Sequence, residues 1–548
     1  MTEPPLSGPV ESFRWHDCAD VIVIGFGAAG AAAALEASEQ AADIDVLIAD
    51  RFEGGGATAF SGGVIYAGGT AHQHEAGYED TAEEMYKYLR LEVGDAVSDE
   101  TLRRFCESSN GQLKWLEQHG VIFGSTLHEG KASYPPRGKF LYYSGNEKVA
   151  KYKACAKPAP RGHRTVGKGL TGRPFFDALQ LAVDRAGIRQ MRHTPVKRLI
   201  LDTDGRVIGV EVLVIPERER AAHQALYRKV SPMLPFQGRR SEKAIAECLA
   251  FEARCSERKL IRARHGVVLA AGGFTYNMAM LKEYAKNTFV DNCLGMIRLG
   301  SMGCSGDGIR LGQSAGGTTG KMENVLIARA IAPPAAPVEG IMVNREGRRF
   351  INEDTYLGFL GDAISHQPDG IAWLLFDSAT FWKAMRQMLP NGDDTFLTFK
   401  LPALANILFG GSHRAATLEV LAKKCGIESA GVIDAITNFN ATIRQGSADV
   451  FGKVDAYRHV MGDGPYYAIN MSLSNPLATT LTFTLGGLKV DENSGLVLRA
   501  DGSAVAGLYA AGRTAIGVCS NSYFSGMSLT DCVFSGRRAG KHLAAIHR

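Results

Sequence analysis

The sequence is restrictive first in what it lacks. No apolar run reaches the roughly 18–20 residues that a membrane-crossing helix needs, so a helical span is not expected. Residues 1–16, MTEPPLSGPVESFRWH, have no basic start followed by an apolar stretch, so no secretory signal is read there. Ten cysteines are present without a CxxC pair, which speaks against a zinc site or a disulfide framework. Cys18, Cys155 and Cys519 read as reduced thiols. A net charge of +4 over 548 residues is too small to mark a nucleic-acid partner. The expectation is a cytoplasmic protein with no metal.

What is present is size, ordinary polarity and glycine. A chain of 548 residues, 45% hydrophobic and 22% charged, buries a large core and divides into two or more domains. Its 63 glycines gather in short clusters, the pattern expected where backbone must approach a ligand closely.

The most informative segment is ADVIVIGFGAAGAAAALEASEQAADIDVLIADR, residues 19–51. Val21 to Ile24 form a continuous apolar run suited to a strand buried on both faces. Gly25, Gly27 and Gly30 follow in the G-x-G-x-x-G spacing, with an alanine-rich helix behind them. Gly25 makes the tight turn, Gly27 lets backbone reach a pyrophosphate, and Gly30 permits close helix–strand packing. The helix start offers free N–H groups and partial positive charge to phosphates. A second apolar run ends at Asp50, 20 residues beyond Gly30, where a carboxylate accepts hydrogen bonds from a ribose diol. Strand, glycines, helix and acid together predict dinucleotide binding. The choice of FAD over NAD comes from GGGATAFSGGVIYAGG, residues 54–69, a second glycine cluster that a nicotinamide site does not need. HGVVLAAGGFTYN and AVAGLYAAGRT repeat the pattern of a buried strand ending in glycines. Strands returning to one sheet from distant parts of the chain describe a doubly wound domain interrupted by an insertion.

These pieces, with CSGDGIRLG, IMVNREGRRFINED and TLGGLKVD, resemble the flavoprotein family of soluble fumarate reductases and 3-ketosteroid dehydrogenases, from about residue 17 to 545. The resemblance implies an α/β protein with FAD as cofactor. A discontinuous Rossmann-type FAD-binding domain would span 17–285 and 476–548, with an inserted α+β cap, or catalytic, domain at 286–475. At one end it implies cofactor contacts from Gly25, Gly27, Ala29, Gly30, Asp50, Arg51 and Thr58. Further along come Ser61, Gly62, Gly63, Ala271, Gly272, Gly512, Arg513, Ser528 and Leu529.

The resemblance also separates the branches. Fumarate reductases clamp a dicarboxylate with arginines and a histidine, and such a pocket needs fixed cationic forks. Here Phe483 stands where the histidine is expected, Tyr523 where a late arginine is expected, and Thr355-Tyr356-Leu357 follow RFINED. YFSGMSL, GRRFINEDTY and SGNEKVAKYKACAKPAPRGHR look most like the 3-ketosteroid Δ4-dehydrogenases. The implied reaction introduces, or in reverse reduces, the C4–C5 double bond of a 3-ketosteroid or similar apolar ketone. Alternatives are a Δ1-dehydrogenase, a flavin-dependent reductase of another enone or enoate, and a flavin-binding electron carrier. No residue reports the electron acceptor.

Desaturation beside a ketone requires a hydride acceptor, a group that takes a proton from the neighbouring carbon, and donors that hold the carbonyl oxygen. Tyr523 is the expected proton-exchanging group. Ser525 would bond to it or relay the proton, and Tyr356 would add a second hydroxyl from the cap. A phenol of free pKa about 10 would need to be pushed down by neighbouring hydroxyls and the helix starting near Ser528. Gly487 and Tyr143 are the expected substrate contacts, with Tyr142, Tyr466 and Tyr467 as rivals for a pocket hydroxyl. His163 is read as structural rather than catalytic. A basic stretch at about 217–264, with Ala246, Leu249, Ala250 and Ala253 at helical spacing, leaves two readings open. It is a solvated helical excursion, or a surface making peripheral contact with anionic lipid.

Overall fold

The computed structural model describes residues 2–230, 237–285, 292–332, 334–389 and 396–548. Its centre is a nine-stranded mixed sheet. Seven of its strands are β1 (Asp17–Ile24), β2 (Val46–Ala49), β3 (Arg189–Met191), β4 (Val196–Leu201), β5 (Val207–Val214), β6 (Glu257–Leu269) and β7 (Ala504–Ala510). The order β3-β2-β1-β6-β7 is parallel throughout. That is why Val21 to Ile24 and Val267 to Leu269 are apolar without alternation: both faces of these strands are covered.

β6 is longer than its apolar end suggests. Its first half pairs antiparallel with β5, burial alternates from Ile261 to Arg264, and its second half joins the parallel core. One strand therefore carries two periodicities, and residues 257–264 belong to the sheet rather than to an excursion.

Two helices aim at the carboxyl ends of this sheet: α1 (Ala28–Gln40) and the last helix, which spans Met527–His547. They pack through small residues. A Cβ on Gly536 would lie 2.4 Å from the Ala29 carbonyl oxygen, and one on Gly540 2.3 Å from that of Ala33. The rising register makes the two helices parallel. The last helix starts eight residues earlier in this register, about 12 Å at 1.5 Å per residue, so two helix N-termini serve different parts of one site.

Residues 217–228 and 238–255 form two helices, α2 (Glu217–Arg228) and α3 (Gly238–Cys255). This is not a solvated excursion. Ala244 and Cys248 of α3 are buried in a cluster with Phe52, Tyr276, Met302 and Cys304. Residues 231–236, between the helices, and 286–291, where the cap was expected to begin, lie outside the described residues.

The middle of the chain builds a four-stranded antiparallel sheet from Ile341–Val343, Trp373–Asp377, Tyr466–Asn470 and His413–Ala415. A buried charge cluster braces it: Arg349 bonds Glu353 (2.7 Å) and Asp449 (2.5 Å), and Lys453 bonds Glu353 (2.9 Å). Arg349 thus pairs within this middle part of the chain. The strand Val325–Arg329 pairs with the fully buried strand Thr480–Thr484. Helix α4 (Leu357–Ser365) lies beyond, with Tyr356 as its N-cap. We number the last helix, Met527–His547, α5.

Candidate active site

One continuous cleft, with about 1880 Å³ of empty space including its open mouth, runs from the end of β2 to the N-terminus of α5. Gly25 turns the chain at φ +103°, and a Cβ there would meet the Ala270 carbonyl oxygen at 2.5 Å, so only glycine fits. Behind it, Thr58 Oγ1 accepts the Ala28 N–H (3.0 Å) and secures the start of α1. The Asp50 carboxylate accepts the N–H groups of Phe26 (2.7 Å) and Phe52 (2.8 Å), which fixes it at the mouth of the fingerprint. Ser61 accepts the Gly63 N–H (3.1 Å) and donates to the Thr58 carbonyl (2.8 Å), folding the second glycine cluster into a turn.

The cleft lining includes Gly25, Gly27, Ala29, Asp50, Arg51, Thr58, Ser61, Gly62, Gly63, Ala271, Gly272, Gly512, Arg513, Ser528 and Leu529. Gly30 lies behind it, where a Cβ would sit 1.9 Å from the Gly25 carbonyl oxygen. A bare-backbone cradle, two helix N-termini and a carboxylate at the far end suit a dinucleotide with a flat ring at each end, so the residues present fit FAD.

The other end of the cleft is aromatic. Tyr523 lies 4.8 Å from the Phe483 ring at 80° and 6.3 Å from the Tyr356 ring at 68°, ring centre to ring centre. Leu299, Leu326, Leu357, Phe399 and Leu481 complete the wall. Arg51 and Arg513 are the cations among the described lining residues, and no lysine or histidine joins them. The Arg513 guanidinium stacks over Phe483, 4.9 Å from its centre. Nothing here forms the paired cationic forks that two carboxylates require.

Ser525 is held by the segment that starts at Tyr142, one of the rival pocket hydroxyls, and runs into SGNEKVAKYKACAKPAPRGHR. Tyr142 donates to Ser525 Oγ (2.8 Å), and Ser144 Oγ donates to the Ser525 carbonyl (2.8 Å). Asn146 Oδ1 accepts the Tyr356 N–H (2.6 Å), while Asn146 Nδ2 donates to Glu92 (2.9 Å). Tyr142 ends a two-residue strand and Ser144 and Asn146 lie in the loop that follows it, so one short segment grips both the late loop and the cap tyrosine. The spacing was visible in the sequence, but nothing there said which face looked inward. Gly526, at φ +101°, caps α5 and turns it toward the cleft.

Four expectations change. Tyr143 is not in the cleft: its ring packs edge-on to Tyr78 (6.2 Å), with Lys148 Nζ 3.8 Å from its centre, because alternation sends it opposite to Tyr142. Gly487 is absent from the described lining. It pairs with Gly320, and a Cβ would meet the Thr514 carbonyl oxygen at 2.7 Å, so its bareness serves strand packing. Ser525 bonds Tyr142 rather than Tyr523. The Tyr523 phenol is not made more acidic: burial pushes its pKa above the usual phenol value, and the nearby Arg513 offsets this only in part. Tyr356 is likewise held neutral by burial.

His163 is fully buried, with Nε2 2.8 Å from Thr70 Oγ1 and Nδ1 2.8 Å from the Arg161 carbonyl, and burial pushes it down to about 3. It is a neutral scaffold residue. Tyr227 of α2 also lines the cleft, and no sequence feature announced it.

Comparison with known proteins places this geometry. The FAD binding domain family matches residues 20–529. The chain is 37% identical, over 92% of its length and 94% of the relative's, to the 3-oxo-5-alpha-steroid 4-dehydrogenase of Comamonas testosteroni. It is 27% identical, over 92% of its length and 93% of the relative's, to the 3-oxosteroid 1-dehydrogenase of Mycolicibacterium smegmatis. Among solved structures, the 3-ketosteroid-Δ4-(5α)-dehydrogenase of Rhodococcus jostii RHA1 in complex with 4-androstene-3,17-dione superposes with a TM-score of 0.81. The sequences are 29% identical, and the match covers 99% of this chain and 100% of that one.

Proposed function

Because the chain belongs to the FAD-binding flavoprotein family, we propose that it is an FAD-dependent 3-ketosteroid Δ4-dehydrogenase, acting on the C4–C5 bond. The observation that carries this reading is the pair of phenols, Tyr523 and Tyr356, at the aromatic, apolar end of a cleft built for FAD, with no paired cationic fork beside them. The relatives named for steroid 4-dehydrogenation support the same substrate class.

When bound, FAD supplies the hydride acceptor. The protein's own residues handle binding and the proton. Leu299, Leu326, Leu481 and Phe483 give an apolar wall that excludes water from the carbon skeleton. Tyr523 exchanges the proton on the carbon beside the ketone. Since burial keeps it a neutral phenol, it is ready to donate for enone reduction, and it must first lose its proton to act as the base of desaturation. Tyr142 directs its own hydrogen onto Ser525 Oγ, which leaves the Ser525 hydroxyl hydrogen free to point into the cleft. From there it donates to the substrate's carbonyl oxygen, where negative charge develops as the neighbouring carbon loses its proton. Tyr356, fixed through its backbone by Asn146, offers the second hydroxyl.

The test is anaerobic mixing with a saturated 3-ketosteroid. The flavin absorbance should bleach, and fumarate should not restore it. Products identified by mass spectrometry decide the bond: a 1-ene product would replace this reading with the Δ1 reaction, and no bleaching with any ketosteroid would end it.

No described helix is long and apolar enough to cross a membrane. Peripheral contact fits the cap better than the 217–264 stretch. Leu401, Leu408 and Phe409 are exposed at 44%, 60% and 77%, in a segment whose Phe399 lines the cleft. Flotation with anionic vesicles, weakened by Leu408→Ser and Phe409→Ser together, is the expected result. Unchanged flotation would remove this surface from consideration.

A further inference from the structure

The dehydrogenation chemistry makes no use of α2–α3, yet this helix pair reaches the cleft. Tyr227, in the last turn of α2, lines it with its ring 4.4 Å from Phe52, centre to centre. Phe52 stands two residues beyond Asp50, the acid that marks the ribose next to adenine in this fingerprint. Tyr227 therefore belongs to the adenosine end, far along the chain from the phenols.

A line of ionisable side chains fastens the pair there. Glu252 of α3 accepts from Arg51 Nε (2.6 Å) and Nη2 (3.0 Å), beside Asp50 in sequence. Glu252 also faces His223 Nε2 of α2 at 3.1 Å, and His223 Nδ1 faces His193 Nδ1 at 3.0 Å. His193 Nε2 meets Glu53 at 2.7 Å. His193, His223 and Glu252 are buried. His193 also holds φ 53°, a left-handed conformation that a side chain adopts only when its surroundings require it. The line ties α2 and α3 to the chain segments following β2 and β3. A buried carboxylate that loses its charged partners is left uncompensated, so the tie is hard to break at one link.

We propose that α2–α3 is a latch over the adenosine half of the FAD site, with Tyr227 as the ring that meets the cofactor and Glu252 as the fastening. Its task is to set how long FAD stays bound. The proposal rests on the cofactor and not on the steroid, so its test involves no substrate.

The full-length holoenzyme is diluted, and released FAD is followed by its fluorescence, alongside thermal melts with and without FAD. Loss of a buried charge-assisted hydrogen bond or an aromatic contact should speed release about tenfold. Glu252→Gln and Tyr227→Ala should each do so and narrow the difference between holo and apo melting temperatures. Tyr227→Phe, which keeps the ring, should stay near the parent. If Glu252→Gln does not fold, the Tyr227 pair decides, since it leaves the ionic line intact. The latch is overturned if release from both alanine-type and glutamine variants stays within about twofold of the parent. It is equally overturned if the apo protein loses as much stability as the holo protein, or if Tyr227→Phe releases FAD as fast as Tyr227→Ala.

Discussion

The two ends of the cleft are built from opposite materials. At the adenosine end, charge is paired and partly buried: Arg51 lies between the buried Glu252 and the half-buried Asp307, and two histidines join Glu252 and the half-exposed Glu53. At the reacting end, described charge is nearly absent, and phenols, a phenylalanine and leucines face the space. The adenosine end has only to hold its ligand, so strong, fully satisfied electrostatics serve it. The reacting end must let an apolar skeleton in and move one proton, so it keeps weak acids in a dry wall and shifts their acidity by burial.

The largest effect should follow from Tyr523→Phe. Removing a positioned acid/base group typically lowers rate by about 10²–10⁴. The flavin spectrum should be nearly unchanged, because the ring remains. Stopped-flow bleaching with a saturated ketosteroid measures it. Should the variant lose FAD instead, the contrast between a binding end and a reacting end fails.

Next in size is Asn146→Leu. It strands the Tyr356 N–H and removes a donor from Glu92, each a buried polar loss of about 1–3 kcal/mol. Because Asn146 touches neither phenol hydroxyl in the structure, kcat should fall roughly 10- to 100-fold, the rate equivalent of that loss. KM should change less. Tyr142→Phe should act in the same direction through Ser525, and more weakly.

The pH dependence sharpens the comparison. In the proposed reaction desaturation uses Tyr523 without its proton, and burial raises its pKa. The rate of flavin bleaching should therefore climb with pH, without a plateau below about pH 10, the free phenol value. Enone reduction, which uses the neutral phenol, should be flat through neutrality. A plateau near pH 7 for desaturation would assign the proton to another group.

The smallest effect is on stability. Burial pushes the Glu92 carboxyl up to about 7. The folded state thus prefers the protonated acid, and the stability this contributes is complete below about pH 4, the value in unfolded chain. It is lost progressively as pH rises toward 7. Thermal melts between pH 4 and 8 should show the decline, and Glu92→Gln should flatten it.

Much of the binding end was legible because it rests on backbone rules. Gly25, Gly27 and Asp50 follow from what a turn, a close approach and a ribose demand, at fixed spacings along continuous chain. Phe483 and Tyr523, by standing where charged residues were expected, announced the polarity of the reacting end. Tyr142 against Tyr143 could not be decided, since a two-residue strand does not reveal which face looks inward. Gly487 was misplaced because a glycine required by strand packing and one required by a ligand look alike in sequence.

Local sequence alone determined the parallel core, the dinucleotide fingerprint and the aromatic character of the substrate end. Each of these is written in neighbouring residues and short periodicities. Only the tertiary structure decided that Asn146 positions Tyr356, that Tyr142 directs Ser525, and that Glu252 of α3 closes on Arg51. Those contacts join residues some 200 to 380 positions apart. No local pattern encodes them, because they arise only when the sheet brings its distant strand ends to one side.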